Sequence, residues 1–295
     1  MSNLEELAKQ FWETKGETAQ QSPTRAVMLA PVSEEEAVFL DTLERNQLLP
    51  WMRLRPGMRV LDVGCGTGRW ARRFAAHETS VVAMDVSPGF LEIAKQALSA
   101  DGTLHRVTLL RADLSLGRLP EEVQGPFDLI FVGGVFQYIE DDAVVSLLNE
   151  FVQKLAPDGR IILREGIRSE RLREEHGAFE GTPYSVIYRD RTDYPRFFAQ
   201  TNLRLLQQAN LAGFSTVDLA EKALSRFNIA SYGSSEQQLE LSPDGALWAK
   251  FITAVTPLFA FVWPRADRGA VVLHKLLGDK NFWASHQVYL LVHPS

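Results

Sequence analysis

The chain has 295 residues, 45% of them hydrophobic and 23% charged, a balance that excludes the disordered, collagenous and coiled-coil classes. With 37 acidic against 31 basic residues the formal charge is -6, so no electrostatic attraction to a polyanion arises and no nucleic-acid partner is expected. The single cysteine, Cys65, excludes an intramolecular disulfide and a cysteine-based zinc cluster, and it fits a reducing, cytoplasmic setting.

In chain order, the first residues carry acids and lack the basic start and apolar core of a signal peptide. Residues 1–55 are expected to form a helical lid segment ending in LLPWMRLRPG. From 56 to 222, strand-like runs at 59–63, 81–85, 107–110, 129–132 and 160–163 alternate with helical patterns at 69–76, 88–100, 143–155 and 193–211, the last stopped by Gly213. That alternation predicts an α/β, doubly wound parallel sheet, with 214–219 and 286–292 as closing strands. Residues 223–285 read as a helical insertion, with a helix start at Ser242-Pro243-Asp244. Its Trp248, Phe251, Phe259 and Trp263 suit a cap or an oligomer contact, which makes a homodimer one expected use. The most apolar stretch, 251–263, contains Pro257 and is 13 residues long, short of the roughly 20 needed to cross a bilayer, so no membrane span is expected. Residues 286–295 then close the core.

The most informative segment is Val60-Leu61-Asp62-Val63-Gly64-Cys65-Gly66-Thr67-Gly68, an apolar strand running straight into glycines and a helix. Glycines permit a tight turn and let a ligand approach the backbone with no Cβ in the way, which implies a nucleotide-like cofactor. The dinucleotide pattern G-x-G-x-x-G fails because position 69 is Arg, and a phosphate loop fails for want of a Gly-Lys-Ser/Thr ending. The next strand ends at Asp85, 21 residues after Gly64, where a doubly wound fold sets an acid against a ribose diol. Asp113, in Arg111-Ala112-Asp113-Leu114 after the third strand, is placed to meet an adenine amino group.

Over about residues 57–222 the sequence resembles the class I S-adenosylmethionine-dependent methyltransferases, in their metal-independent, small-molecule branch. VLDVGCGTG is similar to the family's first motif, VVAMDVSPGFLEIAK to its ribose-binding segment and LLRADLSLG to its adenine-binding segment. FDLIFVGGVFQYI matches the fourth strand with its following turn, and LAPDGRIILRE the fifth strand with the turn before it. The resemblance implies S-adenosyl-L-methionine as cofactor and a Rossmann-like sheet of seven strands, the last antiparallel. It sets Asp62 and Gly64 toward the methionyl part, Asp85 on the ribose hydroxyls, Asp113 on the adenine amino group and Leu114 on the adenine ring. Cys65, Gly66, Gly68, Val86, Gly133 and Val135 complete the cofactor set. Residues 1–50 and 223–285 lie outside the likeness.

Other residues narrow the chemistry. Cys65 is committed to the glycine loop, so covalent methylation at carbon 5 of a pyrimidine lacks a nucleophile. Gly133-Gly134-Val135-Phe136 stands where base N-methylation has an Asn/Asp-Pro-Pro-aromatic turn. Asp141 and Asp142 read as helix-start carboxylates rather than magnesium ligands, and no metal is expected. The acceptor is expected beyond the carboxyl ends of strands four and five, against Phe136, Gln137, Tyr138 and Arg189. Glu165 is the best-placed base, its alternative being a pair with Arg164 or Arg168; Tyr184 and Tyr188, in a lid-like segment, are further catalytic candidates. Trp12 and Arg25 are candidates for an N-terminal lid, whereas His176 and His286 read as a loop and a structural histidine. The expected function is methyl transfer to an O or N atom of a small molecule, a secondary metabolite or a sugar. Left open are a peptide, protein or carrier-tethered acceptor, and a protein that binds the cofactor without methyl transfer.

Overall fold

The structure is a computed structural model and describes residues 3–19, 23–27, 34–168, 172–179, 182–211 and 283–293. Outside the described residues lie the expected strand 214–219, Gly213, the helix start at 242–244 and the aromatic residues Trp248, Phe251, Phe259 and Trp263. The same holds for the side chains of Arg25, His176, Tyr184 and His286.

Strand β1 (Arg59–Val63) pairs in parallel with β2 (Ser80–Asp85) on one side and with β4 (Phe127–Gly133) on the other. β3 (Val107–Arg111) extends the sheet beyond β2, and β5 (Leu155–Arg168) extends it beyond β4, both in parallel. β9 (Trp283–Val292) runs antiparallel between β5 and the edge strand β8 (Arg204–Asn210), giving the order β3-β2-β1-β4-β5-β9-β8. This is the expected seven-stranded sheet with an antiparallel last strand. The chain steps outward from β1 to β3 and returns to β4, so the winding reverses between β1 and β4 and opens a crevice at their carboxyl ends.

Alternating side chains feed two apolar layers. Leu61, Val63, Ile130, Val132, Ile161 and Leu163 pack under α6 (Asp141–Lys154) and α7 (Asp193–Phe198). Val60, Leu129, Phe131 and Ile162 pack on the other face with Trp70 and Phe74 of α4 (Arg69–Ala76). Both faces being covered explains why β1, after the exposed Arg59, reads as an apolar run apart from Asp62. α5 (Pro88–Ala100) starts where the sequence puts it, with Ser87 as N-cap and Pro88 at the first helical position; Ser87 Oγ accepts the Phe90 N–H at 3.4 Å.

The expected helix 193–211 is corrected. α7 stops at Phe198 after burying Tyr194, Phe197 and Phe198, and 204–210 becomes strand β8. Its Leu, Gln and Ala residues favour helix intrinsically, but the free edge of β9 supplies a ladder that outweighs this small preference. The lid-like segment of the sequence reading falls on a hairpin of β6 (Leu172–Phe179) and β7 (Thr182–Tyr188), two strands the sequence reading did not predict.

Before β1 come three helices: α1 (Asn3–Thr18), α2 (Pro23–Ala26) and α3 (Glu34–Met52). α3 lies over the α4 face: Gln47 Nε2 donates to Asn210 O at 2.7 Å, and Glu44 Oε1 accepts Trp70 Nε1–H at 2.9 Å. α1 crosses the start of α5 by backbone contact; a Cβ on Gly16 would stand 2.1 Å from Ser87 Oγ, and one on Gly89 would stand 2.5 Å from the Gly16 carbonyl carbon. Among the described residues no helix is long and apolar enough to cross a membrane.

Candidate cofactor and acceptor site

At the crevice, Gly64, Gly66 and Gly68 all take positive φ, at 71°, 54° and 82°, a region costly for any residue with a Cβ. The Gly64 and Cys65 amides donate to Met84 O at 2.9 Å each, tying the loop to β2. Gly66 N–H donates at 2.8 Å to Asp85 Oδ2, and Ser87 N–H at 2.9 Å to Asp85 Oδ1. The carboxylate keeps acceptor capacity for a further donor such as a ribose hydroxyl. Burial raises the Asp85 carboxyl above its ordinary range, against the opposing pull of these N–H groups. Val86 O accepts Arg111 Nε–H at 3.3 Å.

Asp62 is 1% exposed, and its Oδ2 has no hydrogen-bond partner among the described residues. Burial, reinforced by the charge of Asp85, pushes its carboxyl up to about 8. Cys65 is buried, and desolvation raises its thiol well above the ordinary range, consistent with a packing role in the loop. Asp113 is exposed, accepts the Ser115 N–H at 3.0 Å and faces Lys9 Nζ at 3.8 Å; Leu114 beside it is buried in the core. Val135 closes the floor, its Cγ2 standing 2.2 Å from where a Cβ of Gly64 would be. Next to Gly133, Gly134 at φ 74° donates its N–H to Arg164 O at 2.8 Å.

The N-terminal helices roof this loop. Thr67 Oγ1 donates to Pro23 O at 3.0 Å, Val27 Cγ1 stands 2.7 Å from a Cβ built on Gly66, and Glu13 accepts from Arg111 Nη2 at 2.6 Å. Trp12 lies 5.9 Å from the Phe90 ring and edge-on to Tyr138 at 5.4 Å. With Ala8, Val186 and Tyr188 it forms an aromatic-apolar cluster joining α1, β7 and the turn after β4.

Several expected acceptor residues are placed differently. Phe136 has no exposed surface and stacks on Phe151 of α6 at 6.4 Å, so it is a core residue; the turn reverses the chain and sends this side chain inward. Gln137 and Tyr138 do lie under α1, bonded to each other at 2.8 Å, and Tyr188 is 1% exposed beside them. Arg189 is fully buried: Nε and Nη2 donate to Asp141 Oδ1 at 3.1 and 2.8 Å, and the guanidinium also donates to the Phe136 and Ile139 carbonyls. Its donors are spent on the chain, which corrects the expected substrate contact. Glu165 is likewise fully buried, and its Oε1 accepts the Val135 and Phe136 N–H groups at 2.9 and 3.0 Å. Burial raises it to about 7. Of the two expected partners, Arg164 reaches Glu44 at 2.8 Å instead, and the side chain of Arg168 lies outside the described residues. Sequence reasoning missed the roof contacts of Lys9, Glu13 and Val27; only the amphipathic pattern of α1 hinted at them.

A family model described as a methyltransferase domain matches residues 60–159, which span the glycine loop, both downstream acids and the start of β5. Residues 60–159 are thus similar to a methyltransferase domain. Similar proteins agree with this: the chain is 30% identical over 161 residues to a phosphoethanolamine N-methyltransferase of Triticum aestivum, covering 54% of this chain and 30% of that one. It is 26% identical over 167 residues to the mitochondrial ubiquinone biosynthesis O-methyltransferase of Schizosaccharomyces pombe, covering 55% and 53%. The chain thus spans about half or less of the length of these two relatives. Its fold also matches the crystal structure of the [4+2]-cyclase SpnF, with a TM-score of 0.58 at 16% identity, over 99% of this chain and 97% of that one. These residues fit S-adenosylmethionine: a Cβ-free loop, acceptor capacity left on Asp85 and an unpartnered buried oxygen on Asp62. Among the described residues no group of three His, Cys, Asp or Glu side chains is placed to hold a metal ion.

Proposed function

We propose that the chain transfers a methyl group from S-adenosylmethionine to an O or N atom of a small molecule, a secondary metabolite or a sugar. The observation that carries this is the enclosure of the site: α1 reaches Asp113 through Lys9, Arg111 through Glu13 and Ser87, beside Asp85, through Gly16, and its Trp12 joins Tyr138 and Tyr188 in an aromatic wall. An acceptor that reaches the loop must fit between that roof and the turn after β4, which favours a small molecule over a protein chain. The names of the wheat and yeast relatives point the same way.

When bound, S-adenosylmethionine supplies a methyl group on a sulfonium, open to in-line attack. Asp85 would accept the ribose hydroxyls, Asp113 the adenine amino group, and Asp62 Oδ2 the ammonium of the methionyl part. Gly133, Val135 and the turn they open would set the approach of the acceptor, with Tyr138 and Tyr188 as its wall. The roof excludes water, and alignment of nucleophile and methyl group supplies most of the rate. A second reading keeps the cofactor but not the transfer, since the same fold serves a protein named a [4+2]-cyclase. Labelled-methyl transfer screened against host metabolite extracts separates the readings. Label in a low-mass product supports this proposal; label only in protein or carrier, or none despite saturable cofactor binding, overturns it.

A further inference from the structure

The turn after β4 is held by an unusual device. Neither its one-turn helix, Phe136–Tyr138, nor α6 behind it has a side-chain N-cap. The turn's donors go instead to a carboxylate from β5, as Val135 and Phe136 N–H meet Glu165 Oε1. Its acceptors go to a guanidinium just beyond β7, as Phe136 O and Ile139 O meet Arg189, which also grips Asp141 at the start of α6. Arg189 lies 5.3 Å over the Phe197 ring of α7 and bridges back to Ile167 of β5. A neutral cap would satisfy such a turn at less desolvation cost than two fully buried ionisable groups. What the pair adds is a mechanical link between the turn, β5 and the hairpin that carries Tyr188.

We propose that Glu165 and Arg189 are positioning residues: together they lock the turn 133–141 to the β6–β7 hairpin, so the wall formed by Tyr138 and Tyr188 moves as one body. Neither exchanges a proton with the acceptor. The catalytic half of this inference rests on the methyl-transfer reading; the mechanical half does not.

The test combines site-resolved amide exchange on the full chain with single-turnover methyl transfer to whichever acceptor the metabolite screen yields, for E165Q, E165A and R189K. The Gln side chain keeps an oxygen for both amides, so E165Q retains exchange protection at Val135 and Phe136. Its turnover stays within about threefold of wild type, with an unchanged profile from about pH 6 to 9. E165A exchanges faster at both amides and loses roughly tenfold or more in transfer rate, with cofactor affinity nearly unchanged. R189K, whose single ammonium cannot span two carbonyls and a carboxylate, loosens the turn and residues 186–188 together. The proposal is overturned if E165Q falls as far as E165A with an altered pH profile, which would make Glu165 a base. It is equally overturned if R189K frees the turn while the hairpin stays protected, or if E165A leaves exchange unchanged. A wild-type chain that methylates nothing removes the methyl-transfer reading, and the exchange measurements still decide whether the brace exists.

Discussion

Two residues show how far a local motif predicts its own chemistry. Asp62 is held neutral near pH 7 by burial and by Asp85, yet its position beside the loop suits a cationic ligand. A cation favours the carboxylate, so below the raised value of about 8 binding must expel a proton. Cofactor affinity is therefore expected to rise with pH between about 6 and 8, by up to about tenfold per unit, and Asp62→Asn is expected to flatten that rise. Calorimetry across this range checks it; a flat wild-type profile would separate Asp62 from the ligand. Gly66 makes the second case, because its φ of 54° and its distance of 2.7 Å from Val27 to a built Cβ leave no room for a side chain. Gly66→Val should abolish the cofactor-induced rise in Tm, with a smaller loss of intrinsic stability, since Val27 sits at the edge of the fold. A variant that keeps the full wild-type increment contradicts the loop's role. The glycine turn and the placement of Asp85 and Asp113 at strand ends were legible because strand, glycine turn and acid follow one another in sequence. The inward turn of Phe136 and the burial of Arg189 were not, because both depend on contacts 15 and 48 residues away.

Elements differ in legibility for a related reason. α4 and α5 take the expected bounds because each carries its own punctuation: a glycine entry for one, and Ser87-Pro88 for the other. β8 was misread because its residues suit a helix and only β9, more than 70 residues later, makes them a strand. The hairpin was partly legible, since Tyr184 to Tyr188 is a β-rich run, but its partner strand EEHGAF has no such pattern. α1 meets α5 at the Gly16–Gly89 contact, where two backbones meet without side chains between them. Gly89→Ala places a methyl group against the α1 backbone. It is expected to cost about 1–3 kcal/mol and to lower Tm, chiefly by lifting α1 from α5. Faster amide exchange confined to α1 in that variant would support this; a variant as stable as wild type would show that α1 does not rest on α5 through these glycines.

At the scale of the molecule, the sheet order brings the acids, the loop and the turn after β4 to one crevice; alternation announced a doubly wound parallel sheet, and only the family resemblance its seven strands with the last antiparallel. The same burial leaves a global signature. Asp62 and Glu165 are raised to about 8 and about 7, so between roughly pH 4 and 8 the folded chain holds protons that the unfolded chain has lost. Unfolding then releases protons, and stability should fall as pH rises through that window. Tm measured at pH 6 should exceed that at pH 8.5, and the double variant Asp62→Asn, Glu165→Gln should narrow the gap; a Tm that rises over this range contradicts both assignments.

The central claim is that the glycine loop and the acids at the ends of β1, β2 and β3 hold S-adenosylmethionine beneath α1. Calorimetric titration of the full chain with the cofactor and with its demethylated product, beside folded Asp85→Ala, tests it most directly. The account predicts saturable one-to-one binding of both ligands, weakened about tenfold or more once the charged hydrogen bonds of Asp85 are gone. No saturable binding, or undiminished affinity in Asp85→Ala, would contradict it.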